Sequence, residues 1–251
     1  LKLNTFNLPD SSIVDGSEYM DATLYTGNTP SSQTITNASG FQPDFVWLKG
    51  INIAYDHYLW DSVRGAGIAL FSTGTSAESN YGTSIQNFTS TGFSVGNNLG
   101  INNSGSKYVG WQWKAGGTAV LNEAGTIDSQ VSANPTAGFS VVTYTEPSGS
   151  FSFGHGLGVT PDMFIFKRRD GAENWIVWHK NFGSPTNNGL YLNATNSTFA
   201  SGSNWLTAID SDTISITSNQ VSGAGTKVCY AFADVEGYSK FGSYTGNGST
   251  D

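Results

Sequence analysis

Charge is the first scarcity. Asp, Glu, Lys and Arg make up 12% of the 251 residues, against the roughly 25% usual in soluble domains. With 11 Lys and Arg against 19 Asp and Glu, the net charge is -8, which leaves no cationic stripe for a phosphate backbone and excludes nucleic acid as a partner. Cysteine occurs once, at Cys229, so no intrachain disulfide can form and the fold must hold by packing. Long hydrophobic runs are missing as well. Stretches such as Phe45 to Leu48 fall far short of the roughly 18 residues a membrane span needs, and no basic-then-apolar leader opens the chain, which argues against membrane insertion. The chain starts at Leu1 without methionine and reads as a piece of something longer.

The motifs of common chemistry are missing too. The three histidines, His57, His155 and His179, lack the spacing of a ligand cluster, so no metal is expected. His155 lies in "FGHGLG", a glycine-rich turn without the strand, helix and lysine of a phosphate loop. No G-x-S-x-G occurs. Nor is there the Glu-x-Asp-x-x-Glu run that would hold an acid and a nucleophile about 5 Å apart for glycoside hydrolysis. "DSD" at 210–212 reads as a polar turn rather than a calcium site. No catalytic residue and no cofactor emerges, and the chain is expected not to be an enzyme.

What the chain does have is repetition. "FQPDFVWLKG" at 41–50 is answered by "VTPDMFIFKR" at 159–168, placing Pro43, Asp44 and Lys49 on Pro161, Asp162 and Lys167 at an offset of 118. Without a gap, Trp60 then meets Trp178 and Gly65 meets Gly183. Further on the offset drifts, as loops of unequal length require: Leu70 meets Leu190, "FSVG" at 93–96 meets "ISIT" at 214–217, and "VGWQWK" at 109–114 meets "VCYAFA" at 228–233. "YTGN" at 25–28, "YTEP" at 144–147 and "YTGNGST" at 244–250 open at the same point of the cycle, so the last reads as the start of a third unit. Such self-similarity governs the fold reading.

Each unit reads as strands. Val109, Trp111 and Trp113 alternate with Gly110, Gln112 and Lys114, and Val228, Tyr230 and Phe232 with Cys229, Ala231 and Ala233, the period-two pattern of a sheet. Cys229 stands where the first copy has Gly110, a small residue on a closely approached face rather than a reactive thiol. Turn pairs such as Ser39-Gly40, Ser148-Gly149 and Asn247-Gly248 separate the runs. The expected fold is all-β: two tandem antiparallel β-sandwiches. Residues 1–19 form a lead-in, 20–117 the first repeat, 118–137 a linker, 138–236 the second repeat and 237–251 the start of a truncated third.

The opening decapeptide adds a constraint. In a strand, Phe45 and Trp47 point one way and Val46 and Leu48 the other, and Met163 and Ile165 oppose Phe164 and Phe166 in the second copy. Both faces are apolar, so the second must be covered by the other repeat, a long loop or another subunit. Closure by symmetry would make the protein a homo-oligomer. Lys49 and Lys167 are expected to end their strands in water.

Sugar rings stack on exposed aromatic faces and are fixed by nearby polar groups. Beside the matched Trp60 and Trp178 the copies diverge, with Tyr55, His57 and Asp61 against Glu173, Trp175 and His179. Tyr55, His57, Trp175 and His179 are therefore candidate carbohydrate-binding residues. The sequons at Asn37, Asn87, Asn193 and Asn196 matter only in a eukaryotic secretory pathway.

"GFQPDFVWLKG", "YLWDSVRGAG", "GFSVG", "VGWQWKAGG" and "FGSYTGNGST" resemble the tandem repeats of tail-fibre and related virion proteins of marine and cyanobacterial tailed phages, whose units are similar to concanavalin-like jelly-roll lectin sandwiches. The likeness covers roughly residues 20–251 and weakens at "MFIFKRR" and "CYAFADVEG". It implies a bacteriophage virion-surface protein, oligomeric with a trimer favoured, contacting other virion proteins and attaching to a host cell-surface glycan. It brings no catalytic residues. A free lectin-like module and a polysaccharide depolymerase with an intersubunit site are the alternatives.

Overall fold

The computed structural model describes residues 11–182, 186–196, 198–200, 205–218 and 223–248. Residues 1–10 of the expected lead-in and residues 249–251 of the third-unit start lie outside them. The first half forms β1 (Met20–Thr26), β2 (Gln33–Thr36), β3 (Phe45–Gly50), β4 (Tyr58–Asp61), β5 (Ile68–Phe71), β6 (Ser79–Asn80), β7 (Ile85–Thr89), β8 (Gly92–Val95) and β9 (Lys107–Trp113). The second forms β10 (Val120–Asn122), β11 (Ser129–Asn134), β12 (Phe139–Glu146), β13 (Ser150–Gly154), β14 (Met163–Arg168), β15 (Ile176–His179), β16 (Asn188–Tyr191), β17 (Phe199–Ala200), β18 (Leu206–Ile209), β19 (Thr213–Thr217) and β20 (Gly225–Phe232).

The fold is all-β. Six strands in the order β1-β9-β3-β4-β5-β6 make one sheet and β2-β8-β7 a second; β10-β11-β12-β20-β14-β15-β16-β17 make a third and β13-β19-β18 a fourth. Every pairing of named strands is antiparallel. Among the described residues no sheet mixes strands of the two halves. Residues 118–137 are more than a linker: they carry β10 and β11, which extend the third sheet beyond β12.

The sequence offset reappears as register. Val46 lies opposite Trp60, and Phe164 lies opposite Trp178. Met20 faces Trp113, and Phe139 faces Phe232. The recurring Pro-Asp has a mechanical reason. Proline donates nothing to a ladder and suits a strand start, and the aspartate after it ties neighbouring strands together. Asp44 N–H donates to the Trp113 carbonyl (2.8 Å), and the Asp44 carbonyl accepts from Ser62 N–H (2.8 Å). Its carboxylate accepts from Ala115 N–H (2.8 Å), Gly117 N–H (3.1 Å) and the Ser62 hydroxyl (2.8 Å). Asp162 repeats the pattern, donating to Phe232 O (2.8 Å), accepting Lys180 N–H at its carbonyl (2.9 Å) and Asp234 N–H at its carboxylate (2.5 Å).

Each half buries its own cluster between a large and a small sheet. Val46, Leu48, Trp60, Phe93 and Tyr108 fill the first, and Phe153, Phe164, Phe166, Trp178, Trp205 and Ile214 the second. Gly110 permits close approach there, because a Cβ on it would come within 3.0 Å of the Phe93 ring. Cys229 occupies the matching place, buried in the second cluster with its thiol pKa raised by burial.

A third cluster joins the halves. Phe45, Leu59 and Leu70, with Trp47 and Trp113 against them, meet Phe139, Val141, Ile165, Trp175, Val177, Val228, Tyr230 and Phe232. The second apolar face of the opening decapeptide is thus covered by the other half of the same chain. That removes the burial argument for closing this face with another subunit. Lys49 bonds to the Tyr55 carbonyl. Lys167 does not end in water: its side chain is buried, donates to the carbonyls of Arg168 (2.6 Å) and Gly171 (3.3 Å), and is pushed by desolvation down to about 8.

Candidate functional site at the seam

Where the two halves meet, the chain leaves a cleft of about 420 Å³. One wall carries Trp47 of β3, His57 ahead of β4, and Ser72 and Thr73 after β5; the other is the turn Leu192, Asn193, Ala194 and Thr195 after β16. The same strand–turn geometry builds both walls. Ser72 N–H donates to the His57 carbonyl (3.3 Å), and its counterpart Leu192 N–H donates to the Trp175 carbonyl (3.1 Å).

The polar groups are ordered. Trp47 Nε1–H donates to His57 Nδ1 (2.9 Å), with the rings edge-on at 6.0 Å. An indole nitrogen only donates, so Nδ1 must be unprotonated and the neutral imidazole carries its proton on Nε2. Burial first, then the Lys49 ammonium, holds His57 below its ordinary value of 6.5. Thr73 donates through its hydroxyl to Asp56 (2.7 Å). Asn193 braces the far wall, its Oδ1 accepting from Trp175 N–H (2.8 Å) and its Nδ2 donating to Asn174 Oδ1 (2.9 Å). Among the described residues no charged side chain lines the cleft.

The four sequence candidates separate. His57 lines the cleft. Tyr55 lies two residues before it, 36% exposed. Trp175 is fully buried in the seam, its Nε1–H donating across to the Phe71 carbonyl (2.8 Å), so it offers no face to a sugar. His179 ends β15, accepts Asn181 N–H at Nδ1 (3.1 Å) and lies beside Phe182. Trp47 stood out only as part of a two-sided strand and Asn193 only as a sequon, and Ser72, Thr73 and the rest of the 192–195 turn did not stand out in the sequence. Their signal was indirect: a histidine at the position where the other copy carries tryptophan.

Of the sequons, Asn37 is buried, with Nδ2 donating to the Phe41 carbonyl (2.7 Å) and Gln112 Oε1 (3.2 Å), while Asn87 and Asn196 are exposed. Among the described residues no group of three or more His, Cys, Asp or Glu is placed to hold a metal ion, and no helix is long and apolar enough to cross a membrane.

No curated protein and no solved structure matches the chain. A family model described as a domain of unknown function, DUF7483, matches residues 15–251, and the chain belongs to that family.

Proposed function

We propose that this member of the DUF7483 family is a non-enzymatic virion-surface protein of a tailed bacteriophage, part of a tail fibre or similar appendage, that contributes to assembly and attaches to host carbohydrate. On this reading its halves are two tandem jelly-roll, concanavalin-like repeats. The observation that carries the attachment role is the seam cleft. It combines an indole, an imidazole, hydroxyls and an amide-braced turn in a concave site, the mixture of apolar faces and few placed polar groups that ligand pockets use. The sparsely charged skin suits a protein exposed outside cells, and the sequence resemblance to phage fibre repeats supplies the setting.

The test is competition. An excess of the full chain should slow adsorption of virions that carry it, and periodate oxidation of the host surface should abolish binding of the labelled chain. Absence of the chain from purified virions, or adsorption unchanged by a saturating excess, would overturn the reading.

A further inference from the structure

The two halves present the same face to each other. Trp47 and Ile165 are counterparts at the 118 offset, as are Leu59 and Val177, and all four belong to the seam. Trp113 and its counterpart Phe232 touch across it, ring centroids 6.4 Å apart. A surface that meets its own equivalent is isologous, so each feature on one side has a mate on the other. The mate of the cleft is therefore identifiable. His57 and Trp175 are counterparts, each carrying on its carbonyl the first N–H of the following turn. Trp175 reaches across the seam to the turn of the first half and fills the space there. His57 faces the turn of the second half with a smaller ring, and there the space is open.

We propose that the seam cleft is a binding subsite for one neutral pyranose ring of a glycan, seated where the mate site holds the Trp175 indole. This inference rests on the attachment reading above and names the ligand class of its site. The cleft opens where the smaller His57 ring stands in place of a tryptophan. Trp47 supplies an apolar ring beside it. His57 Nε2–H, fixed by the bond at Nδ1, is a donor for a sugar hydroxyl, and the Ser72 and Thr195 hydroxyls can donate or accept. Among the described residues none of the lining side chains is charged and the nearby Lys49 ammonium is engaged by the Tyr55 carbonyl, so an anionic sugar gains no ion pair in the lining, and the Asp56 carboxylate at Thr73 repels one.

Filling the void tests this. The full chain is titrated with neutral hexosides, N-acetylhexosamine glycosides, sialyllactose and sulfated saccharides, followed by saturation-transfer NMR and calorimetry. We expect binding of at least one neutral pyranoside, and a loss of about tenfold or more, equivalent to about 1.4 kcal/mol, in His57→Trp. Ala194→Trp blocks the cleft from the exposed turn and gives the same loss if His57→Trp fails to fold. Unchanged neutral-sugar binding in Ala194→Trp, or binding of anionic saccharides alone, would overturn the subsite and leave carbohydrate attachment standing. Binding of no saccharide would overturn the subsite, while the adsorption test decides attachment separately.

Discussion

At the scale of the residue, the histidines make the protein sensitive to mild acid. Burial is the leading cause that holds His57, His155 and His179 below the ordinary 6.5. His155 is the most enclosed, its Nδ1 accepting Leu157 N–H (3.3 Å) and its other ring nitrogen facing the Asp210 carbonyl (3.2 Å). A depressed folded value means that the unfolded chain takes up the proton first. The stabilisation is therefore complete above the unfolded value of about 6.5 and is lost as pH falls through the folded values. The thermal midpoint should be lower at pH 5 than at pH 7.5, with a smaller difference in His155→Gln; a midpoint flat over that range would contradict the assignment. The sequence made these residues countable but not their surroundings. His57 was singled out because it diverged from its counterpart, and it lines the seam cleft. Trp175 was misplaced for the same reason, since divergence does not say which copy is covered. Lys167 looked solvated because a terminal lysine usually is, and only the folded loop at Arg168 and Gly171 shows its ammonium enclosed.

At the scale of the element, two of the polar links that cross the seam have unequal consequences. Arg64, between β4 and β5, is buried and bonded through Nε to Asp61 (2.6 Å), while Tyr230 of β20 donates its hydroxyl to the same Asp61 oxygen (2.7 Å). Removing Asp61 leaves the buried guanidinium, of its carboxylate partners, only the longer contact to Glu78 (3.5 Å), so Asp61→Ala should cost about 3 to 5 kcal/mol. Arg169, after β14, grips Glu78 through two bonds (2.9 and 3.0 Å), but both side chains are 23% exposed. Solvent screening leaves such a pair about 1 kcal/mol or less, the loss expected for Arg169→Ala. Urea denaturation of both variants checks the ranking, and a reversed order would show the seam network misread. Most strands were legible from alternation. β10 was not, because Val120 and Leu121 remain 64% and 54% exposed and the strand is held by pairing to β11; β11 was not either, because between polar residues only Val131 and Ala133 turn to the second cluster.

At the scale of the whole molecule, four sheets share three buried clusters, and the middle one belongs to both halves. Opening the seam would expose Phe45, Leu59, Ile165, Val177, Tyr230 and Phe232 together, at roughly 25 cal/mol for each Å² of apolar surface. Neither half should melt alone: calorimetry should show one cooperative transition, and two resolved transitions would contradict a shared seam. The sequence stated the need for this cover through the two-sided strands of β3 and β14, yet left its source open, because alternation shows that a face is apolar and not what lies against it. The self-facing seam also sets an arithmetic of copy number. On the proposed tandem-repeat reading, a unit that hides this apolar face against its own equivalent is satisfied there by one neighbour, so a longer array of such units would be a string of closed couples. Gaining or losing a single unit would strand an uncovered face, and lengths should change by twos.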